Sequence, residues 1–157
     1  KIRGGINVSY GDNELSLRQV AQGYTSNAGN IMVACVDKEL VKAFFSNWKW
    51  INLGLVVSEQ LCRLPKEQRK RMVADVVINA IKKTPSRNIV VENIDLLFSP
   101  EYSLDVIRTL QLAGKNKRLL VIWAGDYQDG VLTYAQPDCP DFHRYEIKNY
   151  GVCCITR

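Results

Sequence analysis

The chain has 157 residues, of which 46% are hydrophobic and 24% charged, as expected for one globular domain with its own core. No apolar run approaches the roughly 18 residues that span a bilayer, which argues against a membrane-spanning protein. Five scattered cysteines, an odd number, are typical of free thiols in a reducing compartment, so we expect a cytoplasmic protein. The sequence starts at Lys1 rather than at methionine, which leaves open whether residues precede it.

Helix-like and strand-like patterns alternate in the first half of the chain. Residues 31–36, IMVACV, form a short continuous apolar run, which is typical of a strand buried on both faces. The predicted order is a helix over 14–24, a strand over 31–36, a helix over 38–48, a strand over 50–57 and a short helix that Ser58 caps and Pro65 ends.

The second half continues the alternation. Its clearest element is a helix over 66–84, where apolar side chains recur at the three-and-four spacing of one face. After it we predict a strand over 88–94, a helix over 103–114 with Ser103 as cap and Gly114 as stop, a strand over 118–125, a hairpin turning at Asp129–Gly130, and a last strand over 150–156.

Alternating helices and uniformly apolar strands predict an α/β fold, with a mostly parallel sheet covered by helices on both faces. Ligands of such sheets bind outside the carboxyl ends of the strands. Glu92 and Asp95 stand at that end of the strand over 88–94. The sequence therefore places two carboxylates where a ligand is expected.

An apolar strand that ends in an acidic residue is the Walker B arrangement of P-loop proteins, where the carboxylate holds Mg²⁺, directly or through water. Helix capping or a surface ion pair explains this strand alone equally well. Glu92 and Asp95 are the candidate catalytic residues, and Glu92 is the candidate Mg²⁺ ligand, through water. We predict that Glu92 faces the junction at residues 36–38.

The partner motif, G-x-x-x-x-G-K-[ST], is absent from that junction. Lys38 stands where the P-loop lysine belongs, at the start of a helix, and is the candidate nucleotide-binding residue. Glu39 replaces the hydroxyl residue that binds Mg²⁺, and the glycines that let the backbone wrap a phosphate are missing. Asp37 and Glu39 would repel the phosphate charge.

Basic residues bunch along the chain, and the net charge is +5. Such clusters are compatible with binding to nucleic acid or an acidic partner, but for each cluster alone we favour a solvated helix surface or a helix C-terminus that attracts cations. The residues that we name for a nucleic-acid or partner surface are Lys66, Arg69, Lys70, Arg71, Lys115, Lys117 and Arg118.

Cys139 and His143 have a C-x₃-H spacing, and Cys153 and Cys154 follow downstream. A zinc site could use this set, but adjacent cysteines rarely supply tetrahedral geometry together. The PDCPDF stretch, residues 137–142, is more simply a loop that its prolines make rigid.

Residues 50–147 resemble BrxF, a family of small P-loop proteins from type 3 BREX bacteriophage-exclusion systems. The resemblance is carried by NLGLVVSEQL (52–61), VVENIDLLFSP (90–100), SLDVIRTLQ (103–111), LLVIWAG (119–125) and, most distinctively, LTYAQPDCPDFHRY (132–145).

The resemblance implies one P-loop NTPase-like domain over 1–157, a three-layer sandwich with five strands and no C-terminal lid. It also implies that the last strand and the strand over 118–125 flank the strand over 31–36. Mg-ATP is the implied cofactor. The implied partners are other BREX defence proteins, with DNA and further copies of this chain as additional candidates, and no membrane.

The Walker A region departs from the family, and two explanations stay open. Either the motif is degenerate, or residues are missing from the sequence near 36–38. The first function we expect is an ATPase-like component of a BREX-type assembly. The alternative is a non-catalytic α/β module that binds nucleic acid or protein through its basic surface.

Overall fold

The computed structural model describes residues 14–21 and 31–156. Over these residues the chain forms two sheets with helices between the strands. The strands are β1 (Glu14–Ser16), β2 (Ile31–Ala34), β3 (Lys49–Asn52), β4 (Asn88–Glu92), β5 (Arg118–Ile122), β6 (Asp126–Gln128), β7 (Val131–Tyr134), β8 (His143–Glu146) and β9 (Cys153–Thr156). The helices are α1 (Leu17–Ala21), α2 (Lys38–Phe45), α3 (Leu53–Cys62), α4 (Lys66–Lys82) and α5 (Val106–Ala113). None of these helices is long and apolar enough to cross a membrane.

The larger sheet has six strands in the order β1-β9-β2-β5-β4-β3, and every neighbouring pair is parallel. The α/β prediction is therefore confirmed. The prediction that β5 and β9 flank β2 is also confirmed. The sheet has one strand more than predicted, because β1 pairs with the outer edge of β9.

Helices cover both faces of this sheet, so the structure has three layers. Successive strand residues point to opposite faces. Leu119 and Val121 join one core with side chains of α3, α4 and α5, whereas Leu120 joins a second core with side chains of α1 and α2. These alternating partners explain why the strands are apolar throughout.

The helix predicted over 14–24 is wrong at its start. Residues 14–16 are a strand, and the helix covers Leu17–Ala21, while residues 22–24 lie outside the described part of the chain. Ser16 and Gln19 form a capping box: the Gln19 N–H donates to Ser16 Oγ and the Ser16 N–H donates to Gln19 Oε1. The S-x-x-Q spacing of residues 16–19 is therefore a sequence signal for the start of this helix.

The strand predicted over 50–57 is wrong in its second half. β3 ends at Asn52 and α3 begins at Leu53, with Asn52 Oδ1 accepting from the Leu55 N–H at 3.0 Å. Asn52, and not Ser58, is therefore the cap. The apolar run from Leu53 to Val57 reads like a buried strand, but Leu53 and Val57 pack into the core one helical turn apart.

The predicted cap of α5 is also wrong. Asp105 Oδ1 accepts from the Arg108 N–H at 3.1 Å, and the helix begins at Val106. Ser103 instead adopts the left-handed region, with φ of 47°. The stop at Gly114 is confirmed, because Gly114 is the C-cap residue of α5.

The smaller sheet is antiparallel, in the order β6-β7-β8. Its predicted turn at Asp129–Gly130 is confirmed, and both residues have positive φ, 50° and 81°. β8 directly follows the loop predicted over 137–142, and no strand was predicted there. Trp123 Nε1 donates to Thr133 O at 2.9 Å and so ties β5 to this sheet.

Candidate functional site

The candidate site lies at the carboxyl edge of the larger sheet, where parallel strands end together. β2 passes into α2 through three residues, Cys35–Asp37, and β4 ends at Glu92. β5 lies between β2 and β4. With strands about 4.8 Å apart, the two strand ends are about 10 Å apart, which a lysine side chain can bridge.

Lys38 and Glu92 meet across this edge. Lys38 Nζ lies 2.5 Å from Glu92 Oε1, and the side chains are 45% and 19% exposed, respectively. The hydrogen bond to Glu92, followed by the attraction of its charge, raises the pKa of the Lys38 ammonium. The predictions that Lys38 begins a helix and that Glu92 faces residues 36–38 are confirmed.

Two asparagines that sequence reasoning missed lie beside Glu92. Asn52 pairs with Glu92 in the ladder between β3 and β4. Asn93 has a φ of 61°, and its Nδ2 donates to Asn52 Oδ1 at 2.8 Å. Gly54 makes room for this contact, because a Cβ there would lie 2.5 Å from the Asn93 carbonyl oxygen. The only signal in the sequence was Asn52 as a helix cap, which the predicted strand over 50–57 obscured.

Asp95 is held separately from Glu92. It is exposed, it opens a 3₁₀ turn over Asp95–Phe98, and its Oδ2 accepts from the Tyr134 hydroxyl at 3.2 Å. Tyr134 in turn stacks on Phe98, with ring centroids 4.0 Å apart. Burial, followed by the Asp95 charge, raises the pKa of Tyr134. Each candidate carboxylate therefore has a partner of its own.

The residues present do not fit Mg-ATP. The connection Cys35–Asp37 contains no glycine, so it offers no run of backbone N–H groups that wraps a phosphate. Asp37 is exposed at the N-cap of α2 and caps nothing with its side chain. The Lys38 ammonium is already occupied by Glu92. Over 14–21 and 31–156, no three His, Cys, Asp or Glu residues lie together as a metal-binding group.

The predicted basic residues occupy two places rather than one. Lys66, Lys70 and Arg71 are exposed in the first turns of α4, where Arg69 Nε donates to Leu64 O at 3.2 Å. Residues 115–118 lie at the opposite end of α4, since Lys117 Nζ donates to Thr84 O at 2.7 Å. The 17 residues of α4 separate the two groups by about 25 Å.

The residues considered for zinc do not form a site. His143 Nδ1 lies 2.9 Å from Asp141 O, and the His143 ring packs edge-on against Phe98. Cys153 and Cys154 are buried in β9. All five cysteines carry free thiols, as predicted.

Comparisons of this chain with protein-family models, with curated proteins and with solved structures found no match.

Proposed function

We propose that this chain is a P-loop NTPase-like protein with a degenerate nucleotide site, and that it acts as a non-hydrolysing subunit of a BREX-type phage-defence assembly. The resemblance to BrxF over residues 50–147 is the reason for proposing a BREX-type assembly. The flanking of β2 by β5 and β9 supports the fold class.

The proposal that the nucleotide site is degenerate rests on one observation. The three-residue connection Cys35–Asp37 places Lys38 directly on Glu92. In a working P-loop protein the lysine contacts phosphate and the strand-end carboxylate serves Mg²⁺. Here the two candidate groups neutralise each other, so neither charge is left for a nucleotide.

The pair has a structural effect that suits a scaffold. It joins the start of α2 to the end of β4 across the end of β5. Asn93 and Asn52 extend this connection to β3. The carboxyl edge therefore becomes one preformed surface, and a preformed surface binds a partner at a lower entropic cost than a mobile one.

Mg-ATP is expected to leave the melting temperature unchanged. A ligand raises the free energy of unfolding by RT ln(1 + [L]/Kd), so millimolar ATP bound with micromolar affinity would add about 4 kcal/mol. Differential scanning fluorimetry with Mg-ATP, against Mg²⁺ alone, measures the difference. A clear rise that Lys38→Gln abolishes would show that the site takes nucleotide, and would overturn the proposal that it is degenerate.

The proposed role in phage defence is tested in a host that carries the complete BREX-type system. Deleting this chain is expected to abolish protection in a phage-plating assay, and the wild-type chain should restore it. Lys38→Gln should restore it as well, because no phosphate contact is lost. Undiminished protection after deletion would overturn the defence role.

A further inference from the structure

The amino edge of the larger sheet, opposite the Lys38–Glu92 pair, gathers basic residues from three separate segments. Parallel strands also begin together, so residues 46–50, 82–88 and 114–118 meet at this edge. The Arg118 N–H donates to Arg87 O at 2.7 Å. Lys117 Nζ donates to Thr84 O at 2.7 Å and Ser86 O at 2.9 Å, which fastens two of the segments to each other.

The positive charge of these three segments is not balanced within them. The three segments contain no aspartate or glutamate. None of the exposed cations takes part in an ion pair over the described part of the chain. We call these six residues the amino-edge surface: Lys49, Lys82, Lys83, Arg87, Lys115 and Arg118.

The stability of the fold accounts for the positive charge of only some of these six residues. Lys82 and Lys83 lie at the C-terminus of α4, where the helix dipole favours cations. The Arg118 guanidinium lies 5.7 Å from the centre of the Trp48 ring. Among the residues that the structure describes, no contact of the Lys49 or Arg87 side chain calls for a positive charge, and like charges gathered at one edge repel one another. A polyanionic partner would relieve that repulsion.

We propose that the amino-edge surface binds the phosphate backbone of a nucleic acid. Protein interfaces are depleted of lysine, whereas nucleic-acid interfaces are strongly positive. Neutral amide donors that suit phosphate oxygens, the exposed side chains of Asn88 and Asn116, lie among the cations. Stable membrane binding needs apolar side chains that can insert, but both tryptophans of these segments are half-buried, with Arg118 over Trp48 and Lys42 over Trp50. The surface lies far from the Lys38–Glu92 pair, so this inference is independent of the proposed function.

Fluorescence anisotropy with a labelled DNA duplex of about 20 base pairs tests the proposal between about 50 and 200 mM salt. The triple variant Lys82→Gln, Arg87→Gln, Lys115→Gln removes three exposed charges from the surface. Each phosphate contact contributes about −0.9 to the slope of log affinity against log salt, so the slope should flatten by about 2.7. At about 100 mM salt the affinity should fall by about 100-fold or more.

A matched variant removes the same residue types from the other end of α4: Lys66→Gln, Lys70→Gln, Arg71→Gln. It should change the affinity by less than about threefold, because those cations lie about 25 Å from the surface. Unchanged melting temperatures of both variants show that folding is intact. Equal losses in the two variants, no DNA binding even at low salt, or binding to phosphatidylglycerol vesicles instead of DNA would each overturn the proposal.

Discussion

At the scale of single residues, the pairing of Lys38 with Glu92 decides what the carboxyl edge can do. The two side chains are 2.5 Å apart, and that of Lys38 remains 45% exposed. Water and salt screen a pair of this kind, so it contributes little to stability. Its effect is on chemistry instead, since it occupies the one cation and the one strand-end carboxylate that a phosphate site would need.

The first prediction at this scale concerns Glu92→Gln. We expect the urea midpoint at neutral pH to stay almost unchanged, because Lys38, the cation that loses its charged partner, is 45% exposed to water and the amide still accepts a hydrogen bond. Glu146→Gln is the matched control, since Glu146 pairs with Arg144 and Lys148 at the surface. A large loss of stability in Glu92→Gln alone would mean that Glu92 holds the fold together, and its proposed relation to Walker B would be withdrawn.

The second prediction is a pH dependence that belongs to Lys38. Its pKa is raised above the ordinary 10.5, so the folded state holds the proton more tightly than the unfolded state. The resulting stability is present below pH 10.5 and is lost as the pH rises through the raised pKa.

Urea midpoints of the wild type and Lys38→Met, measured from about pH 9 to about pH 12, check this prediction. Tyrosines titrate in both proteins, so their contribution cancels in the difference. The difference in urea midpoint between the two proteins should be constant near the lower end of this pH range and should shrink near its upper end. A difference that does not change with pH would contradict the pairing.

At the scale of elements, the smaller sheet is held against α5 by a buried polar contact. The Tyr145 hydroxyl accepts from the Val106 N–H at 2.9 Å, and both residues are buried. Val106 opens α5, so its N–H has no partner within the helix. Burial also raises the pKa of Tyr145, which keeps the hydroxyl neutral.

We therefore predict that Tyr145→Phe lowers the free energy of unfolding by about 1–3 kcal/mol, the cost of a buried donor left without an acceptor. Urea unfolding at neutral pH measures it. Tyr134→Phe removes the same atom from a half-exposed side chain and keeps the stacking on Phe98, so it should cost under about 1 kcal/mol. Equal costs for the two variants would mean that water reaches the Val106 N–H.

At the scale of the whole molecule, the six parallel strands are stabilised by two separate cores. Leu119 and Leu120 are neighbours in β5, both fully buried, and they belong to different cores. Within residues 14–21 and 31–156, α1 and α2 are the helices that cover the smaller core. Its packing is therefore the feature that distinguishes three layers from two.

Leu119→Ala and Leu120→Ala should each lower the free energy of unfolding by about 2–5 kcal/mol, as expected for truncation in a close-packed core. Leu112→Ala is the control at an exposed position of α5, and should change it by less than about 0.5 kcal/mol. Guanidinium unfolding compares the three. A neutral Leu120→Ala would show that α1 and α2 do not cover their face of the sheet.

The sequence by itself determined the elements whose signal is local. β2, β4 and β5 are continuous apolar runs, and α4 repeats its apolar residues at helical spacing. The Asp129–Gly130 turn follows from two residues that tolerate positive φ. These patterns were enough for an α/β fold with Glu92 at the carboxyl edge of the sheet.

Only the tertiary structure decided the features that depend on distant partners. β1 is a strand because Glu14, Leu15 and Ser16 pair with β9 near the other end of the chain. Lys38 meets Glu92 because β5 alone separates their strands, and Asn93 reaches Asn52 only across the ladder between β3 and β4. The basic residues of the amino-edge surface come together because parallel strands begin at one edge. Their charges are dispersed along the chain, and only the order of the strands makes them one surface.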